Sequence, residues 1–420
     1  MTRSLAFVLL TLPLSAQFAF SPGNGQPGYS AGSFVSAVGS FAQPTSTGNQ
    51  TITGIPFQPS VVIFTLSTSN TSDGSAAGAI YTMGAATSSG NQFWAAGGLS
   101  NGTASYTGEQ AYDLSNCIGA YSSAAAVLSE ASLVSMNSNG FTVNWGTVDA
   151  TARIVNYVAI GGLSNAFVGQ LTYPTTTGNS STTGIGFKPD VVLVFALGTT
   201  AVPPATAQAQ FKFGTDYFNS TQSGSTLATI DTGATSSFDY QVSTIATIGS
   251  SGSVFSNATF VSMDSNGFTL DFTTALASTR YSFYLALKGI KSAIGTLTQP
   301  SSTGTQTISG LGLTPAVVLL SSANKTTSTS VNSPEAFSFG AANSTNEFAS
   351  WYGASSGSNP VNVSNNIDRA NLIKMMTQNG ASPTLNAAAS LSSFASGSFT
   401  INWGTVDATA REVYYLALGN

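Results

Sequence analysis

Gly140-Phe141-Thr142-Val143-Asn144-Trp145 alternates apolar Phe141, Val143 and Trp145 with polar Thr142 and Asn144, the two-residue period of a strand with one buried face. The pattern returns as Gly267-Phe268-Thr269-Leu270-Asp271-Phe272 and as Ser398-Phe399-Thr400-Ile401-Asn402-Trp403. Downstream of each copy stands an arginine (Arg153, Arg280, Arg411), then a second apolar run headed by tyrosine at Tyr157, Tyr284 and Tyr415. Upstream, three openings match: Val38-Gly39-Ser40-Phe41, Val168-Gly169-Gln170-Leu171 and Ile294-Gly295-Thr296-Leu297. Each leads to a proline (Pro59, Pro189, Pro315) and an apolar run beginning at Val61, Val191 or Val317. The glycines, the prolines and the runs keep spacings of 130 and 126 residues. Such self-similarity marks a tandem repeat.

The repeated pieces read as strands. Val61-Val62-Ile63-Phe64 is apolar at every position, as a strand buried on both faces must be, and the proline just before it leaves the ladder intact. Trp145 to Arg153 reads as a hairpin whose polar loop holds Asp149, and Asp368 to Met376 could form one short helix. Short strands separated by Gly and Pro turns predict an all-β chain of three tandem, jelly-roll-like β-sandwiches. The boundaries are 33–162, 163–289 and 290–420, after an N-terminal segment 1–32.

That first segment differs from the rest. Arg3, an apolar run from Leu5 to Leu14 and then Ser15-Ala16 have the layout of a secretory signal; the run is too short for a stable membrane span. The other reading is an assembly arm that adds a strand to a neighbouring subunit.

Composition narrows function by exclusion. Only 6% of residues are charged while 42% are hydrophobic, so the surface is carried by Ser, Thr, Asn, Gln and Gly. Eleven Lys and Arg with a net charge of −5 make no basic patch, and nucleic acid is not an expected partner. Histidine is absent and cysteine occurs once, as Cys117, which removes His-dependent catalysis, His- and thiolate-ligated metal sites and internal disulfides. The sequence therefore points away from an enzyme, with no cofactor and no metal. Asp264-Ser265-Asn266-Gly267 lacks the oxygen donors of a calcium site and reads as a turn.

The motifs GFxPxxVxF and GFTxNWxTxDATARxxxYLALGG, carried by Gly54–Phe64 with Gly140–Gly162 and by their counterparts, resemble modules of bacteriophage and prophage structural proteins. The resemblance covers nearly all of residues 33–420, with Phe272 for Trp and Leu276 for Asp as departures in the second copy. It implies a tail-associated or capsid-decorating protein on the virion surface, with copies of itself or other virion subunits as partners. The alternative is a secreted or cell-surface binding protein recognising glycans. Trp94, Trp351 and Tyr352, in the divergent middles, are the candidate binding surface. Asp149 with Arg153, and Asp407 with Arg411, read as structural pairs that fix a loop.

Overall fold

The alternating and apolar runs become strands throughout the computed structural model, which describes residues 33–420 apart from 79, 89, 100–107, 123–125, 200–209, 231–236, 243, 251–252, 327–334 and 356–361. The first repeat holds β1 (Val35–Ala42), β2 (Gly48–Thr53), β3 (Val61–Ser67), β4 (Gly74–Ala77), β5 (Ile80–Thr87), β6 (Gln92–Leu99), β7 (Gly108–Asp113), β8 (Ile118–Tyr121), β9 (Val127–Asn137), β10 (Gly140–Thr147) and β11 (Ile154–Gly161). The second holds β12 (Asn165–Tyr173), β13 (Gly178–Thr183), β14 (Val191–Thr199), β15 (Gln210–Phe218), β16 (Gln222–Ile230), β17 (Ser237–Val242), β18 (Ile245–Ser250), β19 (Ser253–Asp264), β20 (Gly267–Thr274) and β21 (Arg280–Lys288). The third holds β22 (Lys291–Thr298), β23 (Gly304–Ser309), β24 (Pro315–Ser322), β25 (Glu335–Asn343), β26 (Glu347–Ala354), β27 (Val363–Asp368), β28 (Ile373–Thr377), β29 (Thr384–Ala395), β30 (Ser398–Thr405) and β31 (Glu412–Gly419).

Every repeat makes one large and one small antiparallel sheet with the same strand order. The large sheet of the first repeat runs β1-β11-β3-β5-β6-β7 and its small sheet runs β2-β10-β9-β8. The first two and last two strands alternate between the sheets as in a jelly roll, while the middle strands run as two meanders. Phe141, Phe268 and Phe399 occupy the equivalent strands β10, β20 and β30.

Side-chain parity explains why the runs of β3, β14 and β24 are apolar at successive positions. Val62, Phe64 and Leu66 of β3 face the small sheet of their own repeat, in a core with Phe141, Val143 and Trp145. Val61 and Ile63 point the other way, into a second core shared by all three repeats. Val191, Leu193 and Phe195 of β14 and Val317 and Leu319 of β24 enter that same shared core. Where the first and second repeats meet in it, the Phe93 ring stacks on Phe283 with centroids 5.1 Å apart. Residues 31–420 accordingly form one compact unit.

The packing closes on itself. The opening strand β12 of the second repeat lies against β5 and β6 of the first, β22 of the third against β16 of the second, and β1 against β25 and β26 of the third. This is head-to-tail contact that closes after three steps, the geometry of a cyclic trimer built within one chain. The seam between the third and first repeats carries an added element: β4 leaves its own repeat and pairs antiparallel with β27, Ser75 opposite Asn366. Asn365 Nδ2 donates to Gly78 O (2.8 Å) and Arg369 Nε to Asp73 Oδ1 (2.8 Å) on the same seam.

The repeated opening glycine has a steric cause. Gly39 lies opposite Tyr157 across the β1–β11 ladder, and a Cβ there would sit 2.6 Å from the tyrosine hydroxyl oxygen. Gly169 under Tyr284 and Gly295 under Tyr415 repeat the arrangement at 2.5 Å each.

Two expectations are corrected. Asp368–Met376 is not helical: β27 ends and β28 begins within it, because its apolar residues face the core at strand spacing. Trp145–Arg153 is not a hairpin, since β10 belongs to the small sheet and β11 to the large one; the segment crosses between the layers.

A core shared by three repeats predicts a single cooperative melting transition for residues 33–420. Phe93→Ala should cost about 3–5 kcal/mol, the range for a large core truncation, whereas Val134→Ala, on an exposed position of β9, should stay within about 0.5 kcal/mol. Scanning calorimetry checks both, and separate melting of the repeats would refute the shared core.

Candidate functional site

The aromatic residues of the divergent middles do not form a binding surface. Trp94 and Trp351 are 0% exposed and Tyr352 is 1% exposed. Strands β6 and β26 are interior to large sheets that are covered on both sides, so no face of them is left for solvent. Trp94 packs over Gly119 of β8, where a Cβ would lie 2.2 Å from its ring, and Trp351 packs with Ala336 and Met376. Tyr352 enters the shared core.

The Arg–Asp pairs are clamps on the crossover between layers. Arg153 Nη1 and Nη2 donate to Asp149 Oδ1 and Oδ2 at 2.5 and 2.7 Å, and Arg411 meets Asp407 at 2.5 and 2.8 Å. Arg153 is 2% exposed, and its Nε donates to Thr68 O at 2.9 Å. Gln43 and Gln299 complete the clamps by donating Nε2 to Asp149 and Asp407 and accepting from the arginines through Oε1. The Arg153 hydrogen bond holds the Asp149 carboxyl well below the usual carboxylate range, and Arg411 does the same for Asp407.

The second repeat replaces this network as a set. Tyr173 stands where Gln43 stands, Leu276 where Asp149 stands and Phe272 where Trp145 stands; all three join one apolar core. Tyr173 and Phe272 meet edge to face at 5.7 Å, and the Tyr173 hydroxyl bonds Ser282 at 2.8 Å. Half-buried Arg280 is retained there.

A position that sequence reading overlooked opens the fifth large-sheet strand. Gln92 Oε1 accepts from Leu133 N at 2.8 Å, and Gln222 Oε1 accepts from Phe260 N at 2.6 Å. Each pins a β-bulge in the small sheet. In the third repeat a carboxylate does this work: Glu347 Oε2 accepts from Leu391 N at 2.7 Å. The change Gln, Gln, Glu is visible once the repeats are superimposed on the sequence. Burial and then Asp368 push the Glu347 carboxyl up to about 7. Glu130, beside Asp113, is pushed up to about 7 by burial and then by that neighbour.

Two cavities share Glu347. One of about 270 Å³ opens between the β25–β26 turn and β29, and one of about 320 Å³ opens between that turn and β1. Asn346 and Arg369 line both. A third, of about 640 Å³, lies between the second and third repeats beside Lys188, Asn219 and Lys291. Among the described residues no group of three or more Cys, Asp or Glu is placed to hold a metal, and no helix is long and apolar enough to cross a membrane. Comparison of the chain with protein-family models, curated proteins and solved structures finds no match.

Asp149→Leu should cost about 3–5 kcal/mol in denaturant unfolding, because it strands a buried guanidinium; adding Gln43→Tyr and Trp145→Phe should recover part of that loss.

The carboxyls set the pH dependence. Glu130 and Glu347 bind protons more tightly folded than unfolded, so their contribution to stability rises as pH falls from about 7 toward about 4.5. Asp149 and Asp407 act oppositely, and their contribution is lost as pH falls below the unfolded carboxylate range near about 3.9. The melting temperature should therefore be higher at pH 5 than at pH 7.5, and the E130Q/E347Q variant should flatten that difference.

Proposed function

We propose that the chain is a non-enzymatic structural protein of a virion surface, a decoration or tail-associated subunit that acts by packing against copies of itself or other virion subunits. The observation that carries this reading is the closed ring of three repeats around one core, which makes a single compact body with three similar small sheets. Their paired strands carry uncharged polar ladders: Thr51 with Thr142 at 3.0 Å, Ser181 with Thr269 at 2.8 Å and Thr307 with Thr400 at 2.9 Å. Asn144 Nδ2 donates to Asn49 Oδ1 at 2.7 Å beside the first. Apart from Asp264, which accepts from Thr269 at 2.7 Å, and Asp271 on the same sheet, such surfaces can be brought together with few ions to desolvate, the costly part of a charged contact. The low charge of the whole chain supports the same reading, as does the resemblance of its motifs to phage structural modules.

Residues 1–32 are the proposed connecting arm, since their apolar run would be stabilised by adding a strand to another subunit. Light scattering on the full chain and on a chain lacking residues 1–30 tests this. The full chain should assemble and the truncated chain should remain monomeric. Equal assembly of the two would remove the arm from the proposal, and monomers in both cases would remove assembly itself.

A further inference from the structure

The seam between the third and first repeats differs from the other two in a way that the fold does not require. Glu347 performs a structural task that glutamine performs at Gln92 and Gln222. The carboxylate is half-buried, so it carries a desolvation cost that the amide avoids. Among the described residues only one of its oxygens is used, Oε2 taking the Leu391 amide. Arg369 is a second departure, standing where the first repeat has Leu114 after the matching Asp113 turn. Its Nε and Nη1 reach Asp73 and Ser40 of the first repeat, and the residue lines both cavities.

The geometry points to a saccharide-binding site in the paired cavities of this seam, with Glu347 Oε1 accepting sugar hydroxyls and Arg369 donating to sugar oxygens. Asn346 lines both cavities, Ser40 and Tyr157 line one of them, and Phe394 lines the other. The lining thus mixes donors and acceptors around an apolar ring, the complement of a polyhydroxylated ring. The volumes, about 270 and 320 Å³, suit small ligands at the lower end of the range for binding clefts. A hard cation fits poorly, since it needs six or more oxygens. The neighbouring carboxylates are already engaged: Asp368 by Lys374, Asn371 and the Ala370 amide, Asp73 by Arg369. An anionic ligand would meet the Glu347 charge. This inference is independent of the assembly reading above, which concerns the small sheets and residues 1–32.

Saturation-transfer NMR on the full chain tests it, with free glucose, galactose, mannose and N-acetylglucosamine as probes and methylammonium as the cationic control. At least one sugar should receive saturation from the wild-type chain, and E347Q and R369M should each reduce the transfer at least about tenfold, the scale of losing a charge-assisted hydrogen bond. E347Q keeps an acceptor for the Leu391 amide, and R369M removes a half-exposed ion pair to Asp73 and an exposed hydrogen bond to Ser40, so melting curves near wild type should show that both variants are folded. The proposal is overturned if no sugar receives saturation, if transfer survives unchanged in both variants, or if only methylammonium binds.

Discussion

The central large-sheet strands β3, β14 and β24 are apolar on both faces, and each therefore has to be covered twice. One cover comes from the small sheet of the same repeat. No second layer exists within a repeat, so Val61 and Ile63, like Val191, Leu193, Val317 and Leu319, would face water in an isolated sandwich. At about 25 cal/mol per Å² of apolar surface, exposing such a face is not sustainable for a domain of this size. Three repeats turned inward around one axis resolve the problem, and the head-to-tail contacts of β1, β12 and β22 follow from it.

Within that frame the repeats tolerate exchange only in coordinated groups. Gln43, Asp149 and Arg153 make a polar arrangement in which each member satisfies another, and Trp145 Nε1 donates to Gln50 in the same repeat. The second repeat has Tyr173, Leu276 and Phe272 in one apolar cluster instead. Either solution closes the same crossover between sheets. A mixture would leave a guanidinium or a carboxamide buried without partners, which is costly, so the three positions change together.

Strand periodicity and the repeat spacing made the all-β class and the equivalence of Phe141, Phe268 and Phe399 legible from sequence, because alternation over a few residues is a local signal. The sharing of a core was not legible in the same way. A strand apolar on both faces is compatible with a sandwich interior, and only the third dimension shows that its second face meets another repeat. Trp94, Trp351 and Tyr352 were misplaced for that reason: their neighbours Gly97, Gly98, Ser350 and Gly353 look like a loop in one dimension, yet small residues are what close packing between sheets requires. The crossover at Asp149 looked like a hairpin because both flanking strands are antiparallel and near in sequence, while the change of sheet leaves no local trace. The Glu347 position carries its information only as a difference between aligned repeats.

Joining three equivalent bodies in one chain has a consequence that a symmetric trimer of separate chains would not share. In a homotrimer a carboxylate at the Gln92 position would appear three times, with three desolvation costs and three identical seams. Here each seam can be specified alone. The third–first seam has β4 laid on β27, Arg369 bound to Asp73 and Ser40, and Glu347 in place of glutamine. The second–third seam has Asn219 donating to Ser292 Oγ at 2.8 Å and Ile290 N donating to Asp190 Oδ2 at 3.2 Å. The ring is thus uniform in backbone, where the shared core demands it, and individual at the seams, where the chemistry of the side chains is free to differ.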